Sequence, residues 1–413
     1  MIFDHNQELI GENTPPEVII WDETMRDGEQ APGVVFSLQQ KMELARLMDE
    51  AGVGIIDLGF PVVSVEEQET VRAIAGLGLK AETGVTLRAK KEDIDCALKL
   101  GIRRGFVFTP TSYLHIKVKF GIDPREHQKA VLETIKYAVD SGMDLCFISE
   151  DTTRSDPDYV IPMFNQVVEL GVDKLMITDT VGVMVPATMR RFVANIIGRC
   201  PRGIRFGIHC HNDFGLATAN TLAAVEAGVI MPTVTINGIG ERAGNASFEE
   251  TVMALELIYK IKTGIDLKKI MELSQRVEFF SGLPVPPNKA VVGYNAFRHE
   301  SGIHVHAMLK ELKTYETFPP ELLGRQHEFV LGKHSGRSLL RTIREKHRGA
   351  ENPGNDRWEE TLLANLKKNG NNRERKEAFY HSHRDYYRHV LGVTEQDVLR
   401  LYDQLHEEFE GPF

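Results

Sequence analysis

Two histidines one residue apart carry the first chemical signal. In segment 205–213 a short apolar run ends in His209 and His211. On an extended chain residues i and i+2 project from the same face, so both imidazoles can reach one ion. A hydrogen-bonded histidine pair at a strand end is the competing reading. Asp27 adds a carboxylate just after the first apolar run. Asn245 adds a carboxamide, although a stretch such as 243–246 is also ordinary turn chemistry. Mixed nitrogen and oxygen ligation with room for substrate suits Zn²⁺, Mn²⁺, Mg²⁺ or Co²⁺ acting as a Lewis acid.

Other side chains could serve such a centre. Arg26 can meet negative charge developing on an oxygen, or it can bridge strand ends. Glu150 can orient a base or act as one; with Asp151 it could equally favour a helix N-terminus. Thr178 and Thr180 can donate hydrogen bonds to a carboxylate, though threonine is common in strands for packing reasons. His115, in segment 111–119, is a further substrate-binding candidate. His299, His304 and His306 fall within eight residues. They fit either a second metal or a base delivered over a site, conceivably from another subunit.

These residues must be positioned by repeating elements. Strand-like runs at 18–22, 54–59, 80–87, 104–109, 145–151, 174–180, 205–211 and 233–236 alternate with helical windows. The windows are 38–52, 66–77, 91–100, 124–141, 158–170, 187–198, 216–228 and 248–263. Such alternation predicts a parallel sheet with covering helices, and eight units are the number that closes a (β/α)8 TIM barrel. A doubly wound open sheet would carry a Gly-rich phosphate turn after its first strand, where this chain has Met25, Arg26 and Asp27. In a closed barrel the first and eighth strands are neighbours. Asp27, His209, His211 and Asn245 then converge at the carboxyl ends of strands one, seven and eight.

Beyond residue 265 the pattern changes. The expected organisation is a catalytic barrel over 1–280, a linker and helical subdomain over 281–345, and a helical subdomain with a polar insertion over 346–413. Residues 346–378 are strongly polar and read as an insertion or mobile excursion, and 394–408 as a closing amphipathic helix. The 413 residues are 42% apolar and 26% charged, with net charge −10. That balance argues against a nucleic-acid or anionic-membrane binder. No apolar run is of spanning length and nothing marks secretion, so a cytoplasmic enzyme is expected. The four cysteines lack CxxC spacing and imply no disulfide.

Five stretches in order, 22–30, 207–213, 237–246, 299–304 and 331–337, resemble the 2-isopropylmalate synthase/homocitrate synthase family of metal-dependent TIM-barrel acyltransferases. The resemblance spans 17–345. It implies a Claisen-type condensation of acetyl-CoA with a 2-oxo acid to a 2-alkylmalate-type product and CoA. Asp27, His209, His211 and Asn245 match the metal positions, Arg26 the charge-stabilising arginine and Thr180 a substrate-carboxylate donor. Glu150 and His304 match the acid/base residues. His304 would come from the partner chain of a domain-swapped homodimer, with Tyr315 near the mouth. Amino-acid biosynthesis is the implied setting.

Departures bear on the substrate. Cys146 stands where members that make homocitrate carry an arginine. That favours an isopropylmalate-like reading, as do Gly59, Phe60 and Pro61. Asp57 and Leu58 stand where Glu-Ala or Glu-Val is usual, and His306 replaces a frequent Asp. Tyr294 and Arg298 replace a Glu and an Ala ahead of His299, and Arg298 could pair with a second anionic group on an unusual oxo acid. The chain also departs by stopping without the C-terminal regulatory domain that resembling isopropylmalate synthases often carry, so leucine feedback by that route is not expected. Homocitrate synthesis, or use of an unusual anionic 2-oxo acid, is the alternative within the family. A lyase or carboxyltransferase on the same barrel is the alternative outside it.

Overall fold

The structure is a computed structural model that describes residues 13–348, 360–365, 373–390 and 398. Parallel strands β1 (Trp21–Asp22), β2 (Ile55–Asp57), β3 (Glu82–Arg88), β4 (Arg104–Pro110), β5 (Asp144–Glu150), β6 (Lys174–Asp179), β7 (Arg205–Cys210) and β8 (Met231–Val234) close into one barrel. Closure is explicit in the pairing of Trp21 with Thr233 and of Asp22 with Val234. The chain has the (β/α)8 TIM-barrel fold.

Helices α1 (Leu38–Ala51), α2 (Val65–Ala75), α3 (Lys91–Lys99), α4 (Tyr113–Phe120), α5 (Pro124–Asp140), α6 (Pro157–Glu169), α7 (Pro186–Arg199), α8 (Ala217–Glu226) and α9 (Phe248–Ala254) alternate with the strands. Their starts are written locally. Ser37 closes a capping box with Gln40, and Ser64, Ser112, Asp123 and Asp156 each accept from a first-turn N–H. Proline occupies the first turn of α5, α6 and α7, where its missing N–H costs nothing.

The strands' inward residues fill the barrel. Trp21, Phe106, Cys146, Met176 and Met231 form a buried apolar layer, with the Trp21 and Phe106 ring centroids 4.2 Å apart. Two glycines make room for it. A Cβ on Gly84 would lie 2.5 Å from the Phe106 ring, and one on Gly207 would lie 2.4 Å from the Met176 methyl. This packed floor leaves chemistry only at the strands' carboxyl ends.

Several elements differ from expectation. Helix α4 occupies a stretch for which no element was expected; its Leu114, Ile116, Val118 and Phe120 alternate with a strand's period of two. Local caps decide the matter: Ser112 caps the start and Gly121, at φ +70, ends it. The window 248–263 ends its α-helix at Ala254 and widens into a π-turn over Leu255–Tyr259 before Lys260 turns left-handed. Strand β8 begins two residues earlier than expected and gives way to a 3-10 turn over Ile236–Gly238.

The chain divides into two compact units at Pro284/Val285. The first ends with α10 (Ile270–Ser281). The second contains parallel strands β9 (Arg298–His299) and β10 (Glu328–Phe329), with helices α11 (Gly302–Met308) and α12 (Arg337–Arg348). Overlapping the end of the expected polar excursion, Arg373–Val390 is an α-helix. That segment is free of Gly and Pro and rich in Glu, Lys and Arg, which favour helix despite their polarity. The helix expected at 394–408 lies outside the described residues apart from residue 398.

Candidate active site

Strand β7 ends at Cys210 and delivers His209 from its inward face, while His211 follows in a bridge with Asn245. Asp27 arrives from the turn after β1, where its N–H bonds the Glu23 carbonyl. The histidine Nε2 atoms are 3.1 Å apart, and Asp27 Oδ2 lies 3.3 Å from His209 Nε2 and 3.8 Å from His211 Nε2. All three residues are buried, and one ligand atom from each lies within 4.8 Å of the others.

The hydrogen bonds around this cluster select its donor atoms. His209 Nδ1 lies 2.6 Å from Glu23 Oε2 and 3.0 Å from Thr233 Oγ1. An ionised carboxylate only accepts, so Nδ1 carries the proton and the Nε2 lone pair faces Asp27 and His211. A carboxylate bonded to the far nitrogen is how proteins orient a metal-binding histidine. Asn245 Nδ2 donates to Asp27 Oδ2 at 3.0 Å, while its Oδ1 is buried without a hydrogen-bond partner among the described residues. His211 Nδ1 is likewise unpartnered there. Lone pairs crowded this tightly, beside an unsatisfied amide oxygen, fit a divalent cation held by Asp27, His209 and His211, with Asn245 at hand.

Burial and neighbouring charges oppose one another at each member of the cluster. Burial works against ionising Asp27, yet Arg26, His209 and His211 hold its carboxyl below the usual range. Burial likewise opposes ionised Glu23, but Arg26 and His209 keep it well below an ordinary glutamate. Burial alone would depress His209; the charge of Glu23, with Asp27, raises it instead. His211, buried and beside His209, is pushed down to about 4, which keeps it neutral and able to ligate. Arg26 bonds Glu23, and its Nε lies 3.3 Å from Asp57 Oδ2. The guanidinium therefore ties the ends of β1 and β2 together while one face stays open to the cavity.

That cavity, of about 270 Å³, is lined by Arg26, Asp27, His209 and His211 together with Glu150, Thr178 and Thr180. Glu150 Oε1 takes a hydrogen bond from Lys119 Nζ at 2.6 Å. The two threonine hydroxyls, 3.0 Å apart, both receive the Asp151 N–H, and Thr178 also donates to the Ser149 carbonyl. His115 does not line the cavity. It lies behind Glu150, with Nδ1 3.6 Å from that carboxylate and Nε2 3.3 Å from Arg154. The cap of α4 turns it to this position, beside Glu150 and off the cavity wall.

In the second unit, His304 and Tyr315 are exposed and stacked, with centroids 4.1 Å apart. Arg298 already has partners: Nε and Nη2 lie 2.8 and 2.6 Å from Glu328 Oε2, and the guanidinium lies 3.6 Å from the Tyr294 ring centroid. Glu328 is brought into register with Arg298 by β10. Glu23 was not singled out from the sequence. Its signal was present, an acid directly after the first strand, but its partner is 186 residues away.

Residues 17–277 match the HMGL-like family, and 291–373 match the homocitrate synthase post-HMGL domain-like family. The chain belongs to the 2-isopropylmalate synthase/homocitrate synthase family. It is 48% identical to the homocitrate synthase AksA of Methanopyrus kandleri, over 79% of this chain and 82% of that one. It is 46% identical to a probable 2-isopropylmalate synthase of the same organism, over 79% of this chain but 65% of that longer one. Among solved structures, the HMG-CoA lyase of Bacillus subtilis superposes with TM-score 0.59 at 21% identity, over 66% of this chain and 96% of that one. At that identity the likeness is one of fold. Family membership covers both units of the chain, since the two matched regions lie on either side of Pro284.

Proposed function

We propose that this chain condenses acetyl-CoA with a 2-oxo acid, releasing CoA and a 2-alkylmalate-type product, as an acyltransferase of amino-acid biosynthesis. The observation that carries the reading is the convergence of Asp27, His209 and His211 beside Arg26 and Glu150 in one cavity, in a chain whose relatives bear the names of such synthases. Asp27, His209 and His211, with Asn245 behind them, would hold Zn²⁺, Mn²⁺, Mg²⁺ or Co²⁺. When bound, that cation supplies Lewis acidity to a ketone oxygen.

The chain's own residues account for the remaining chemistry. A base removes a proton from the acetyl methyl group, and the electron pair left behind forms the new bond to the ketone carbon. The ketone's π pair moves to its oxygen, where Arg26 offsets the charge and an acid returns a proton. Water then breaks the thioester, and sulfur leaves as the CoA thiol. Glu150 and His304 are the acid/base pair, with Tyr315 stacked on His304. Thr180 faces the substrate carboxylate, while the Thr178 hydroxyl beside it is given to the Ser149 carbonyl.

His304 and Tyr315 would serve the barrel of a second copy in a domain-swapped homodimer. Exposed apolar side chains support this assembly: Val35, Val63, Val118 and Phe214, each 69 to 79% accessible, follow the carboxyl ends of β1, β2, β4 and β7. No described helix is long and apolar enough to cross a membrane. A cytoplasmic, 2-isopropylmalate synthase-like enzyme is the leading reading; homocitrate synthesis is the comparable alternative, carried by the first relative's name.

Thiol release measured with acetyl-CoA, each of the four cations and a panel of 2-oxo acids tests the proposal. Release should stop on chelation and return with metal. Silence across the whole panel, metal supplied, would sink the reading.

A further inference from the structure

The wall of the cavity identifies what the oxo acid carries beyond its reactive end. Phe60, Phe108, Ile148 and Met176 line the cavity together, alongside the proposed metal ligands. They come from the turn after β2 and from β4, β5 and β6, the arc across the barrel from β1, β7 and β8. Phe60 and Phe108 meet edge to face at 6.1 Å, and Ile148 and Met176 are 8% and 1% accessible. Ile148, Met176 and Phe108 pack with Trp21, Phe106 and Cys146 in one apolar cluster. Cys146, expected from the sequence to mark the substrate position, is buried in that layer and does not line the cavity; Ile148, two residues on, does.

A second carboxylate on the substrate would need an available cation here. Two arginines line the cavity, and both are already matched by acids. Arg26 pairs with Glu23 and lies within 3.6 Å of Asp27 and Asp57. Arg242 places Nε and Nη2 at 2.8 and 2.9 Å from Asp213 and also donates to the Thr180 carbonyl. Arg88, whose guanidinium lies 5.8 Å from the Phe60 ring centroid, gives Nε and Nη2 to Asp93 at 2.9 and 2.8 Å. Thr86 is the polar side chain between Phe60 and Phe108 in strand order, and its hydroxyl donates to Asp57 at 2.5 Å. A carboxylate driven against these four apolar side chains would lose its hydration with no donor among them to replace it.

We infer that the wall of Phe60, Phe108, Ile148 and Met176 selects a 2-oxo acid with an uncharged alkyl side chain and rejects one ending in a second carboxylate. The inference rests on the condensation reading and deepens it. It also runs against the name of the 48% identical relative. Identity spread over 326 residues says little about four side chains at one wall. Ile148 and Phe108 set the depth of the subsite.

Initial-rate thiol release with acetyl-CoA and Mn²⁺ should be compared for pyruvate, 2-oxobutyrate, 2-oxoisovalerate and 2-oxoglutarate. The best alkyl acid should exceed 2-oxoglutarate in kcat/KM by at least about a hundredfold. Ile148→Ala should shift the preference roughly tenfold toward the longer alkyl acids, with its folding verified by thermal melting. Phe108→Leu offers the same readout if Ile148→Ala fails to fold. Equal or better use of 2-oxoglutarate overturns the inference, as does an unchanged chain-length preference in a folded variant. If no acid releases thiol, condensation itself has failed, and the wall is then judged by melting shifts with Mn²⁺ and each acid. Stabilisation by the alkyl acids alone would sustain the inference; stabilisation by 2-oxoglutarate, or by none of them, would overturn it.

Discussion

Glu23 bonds His209 through one carboxylate oxygen and Arg26 through the other. It thereby fixes an imidazole tautomer and the position of a guanidinium at once. Glu23→Gln keeps the shape but loses the charge, and it can present an N–H where His209 needs an acceptor. We expect metal affinity and turnover to fall by about 10- to 100-fold with the fold intact, measured by metal titration and kinetics. Asp22, one residue earlier, gives a separate signature. Burial, reinforced by Glu23 and Asp57 against the bonds from Thr24, raises its pKa to about 7 from 3.8. A carboxyl raised on folding stays protonated in the native state while the unfolded chain ionises. Its contribution to stability is therefore full below about pH 4 and declines as pH rises to about 7, by up to about 1.4 kcal/mol per pH unit. Asp22→Asn retains the acceptor for the Thr24 N–H, 2.8 Å away, and should flatten that part of the stability profile in denaturant titrations.

At the scale of elements, the loop after β8 shows how backbone conformation carries a side chain to the site. Gly244 has φ +84, and a Cβ there would lie 1.9 Å from the Gly238 carbonyl oxygen. The close approach lets the Asn245 N–H bond that same carbonyl and lets the Asn212 N–H bond Gly244, tying this loop to the end of β7. Gly244→Ala meets both a left-handed backbone and a backbone collision. We expect a loss of about 1 to 3 kcal/mol in stability, together with weaker metal binding because Asn245 and the Asp27 carboxylate it touches are displaced. Thermal melting and metal titration on one preparation would check both effects. The α4 segment makes a related point about reading sequence. Its alternating apolar residues follow a strand's period, yet Ser112 and Gly121 impose a helix, and the helix places Lys119 against Glu150.

For the molecule as a whole, the proposed domain swap has a test that neither unit alone provides. Arg26→Ala disables one barrel's charge-stabilising arginine, and His304→Ala disables the residue proposed to be lent to the other copy. Either variant alone should be nearly inactive. Mixed after dissociation and reassociation, they should regain activity well above both parents, because some dimers then pair an intact barrel with an intact His304. No regain, with mixed dimers demonstrated by sedimentation and tagged pull-down, would place His304 outside the partner's site.

What the sequence determined by itself was set by short-range physics. Strand and helix alternation and two histidines on one strand face follow from neighbours a few residues apart, and they led to the barrel and, through its closure, to Asp27, His209 and His211. Tertiary structure alone decided which groups were already engaged. Arg298 meets Glu328, Glu23 meets His209, and Cys146 lies beneath the cavity while Ile148 borders it. The physical reason is that a side chain's chemistry depends on which partners closure brings within hydrogen-bond reach, and those partners come from distant parts of the chain.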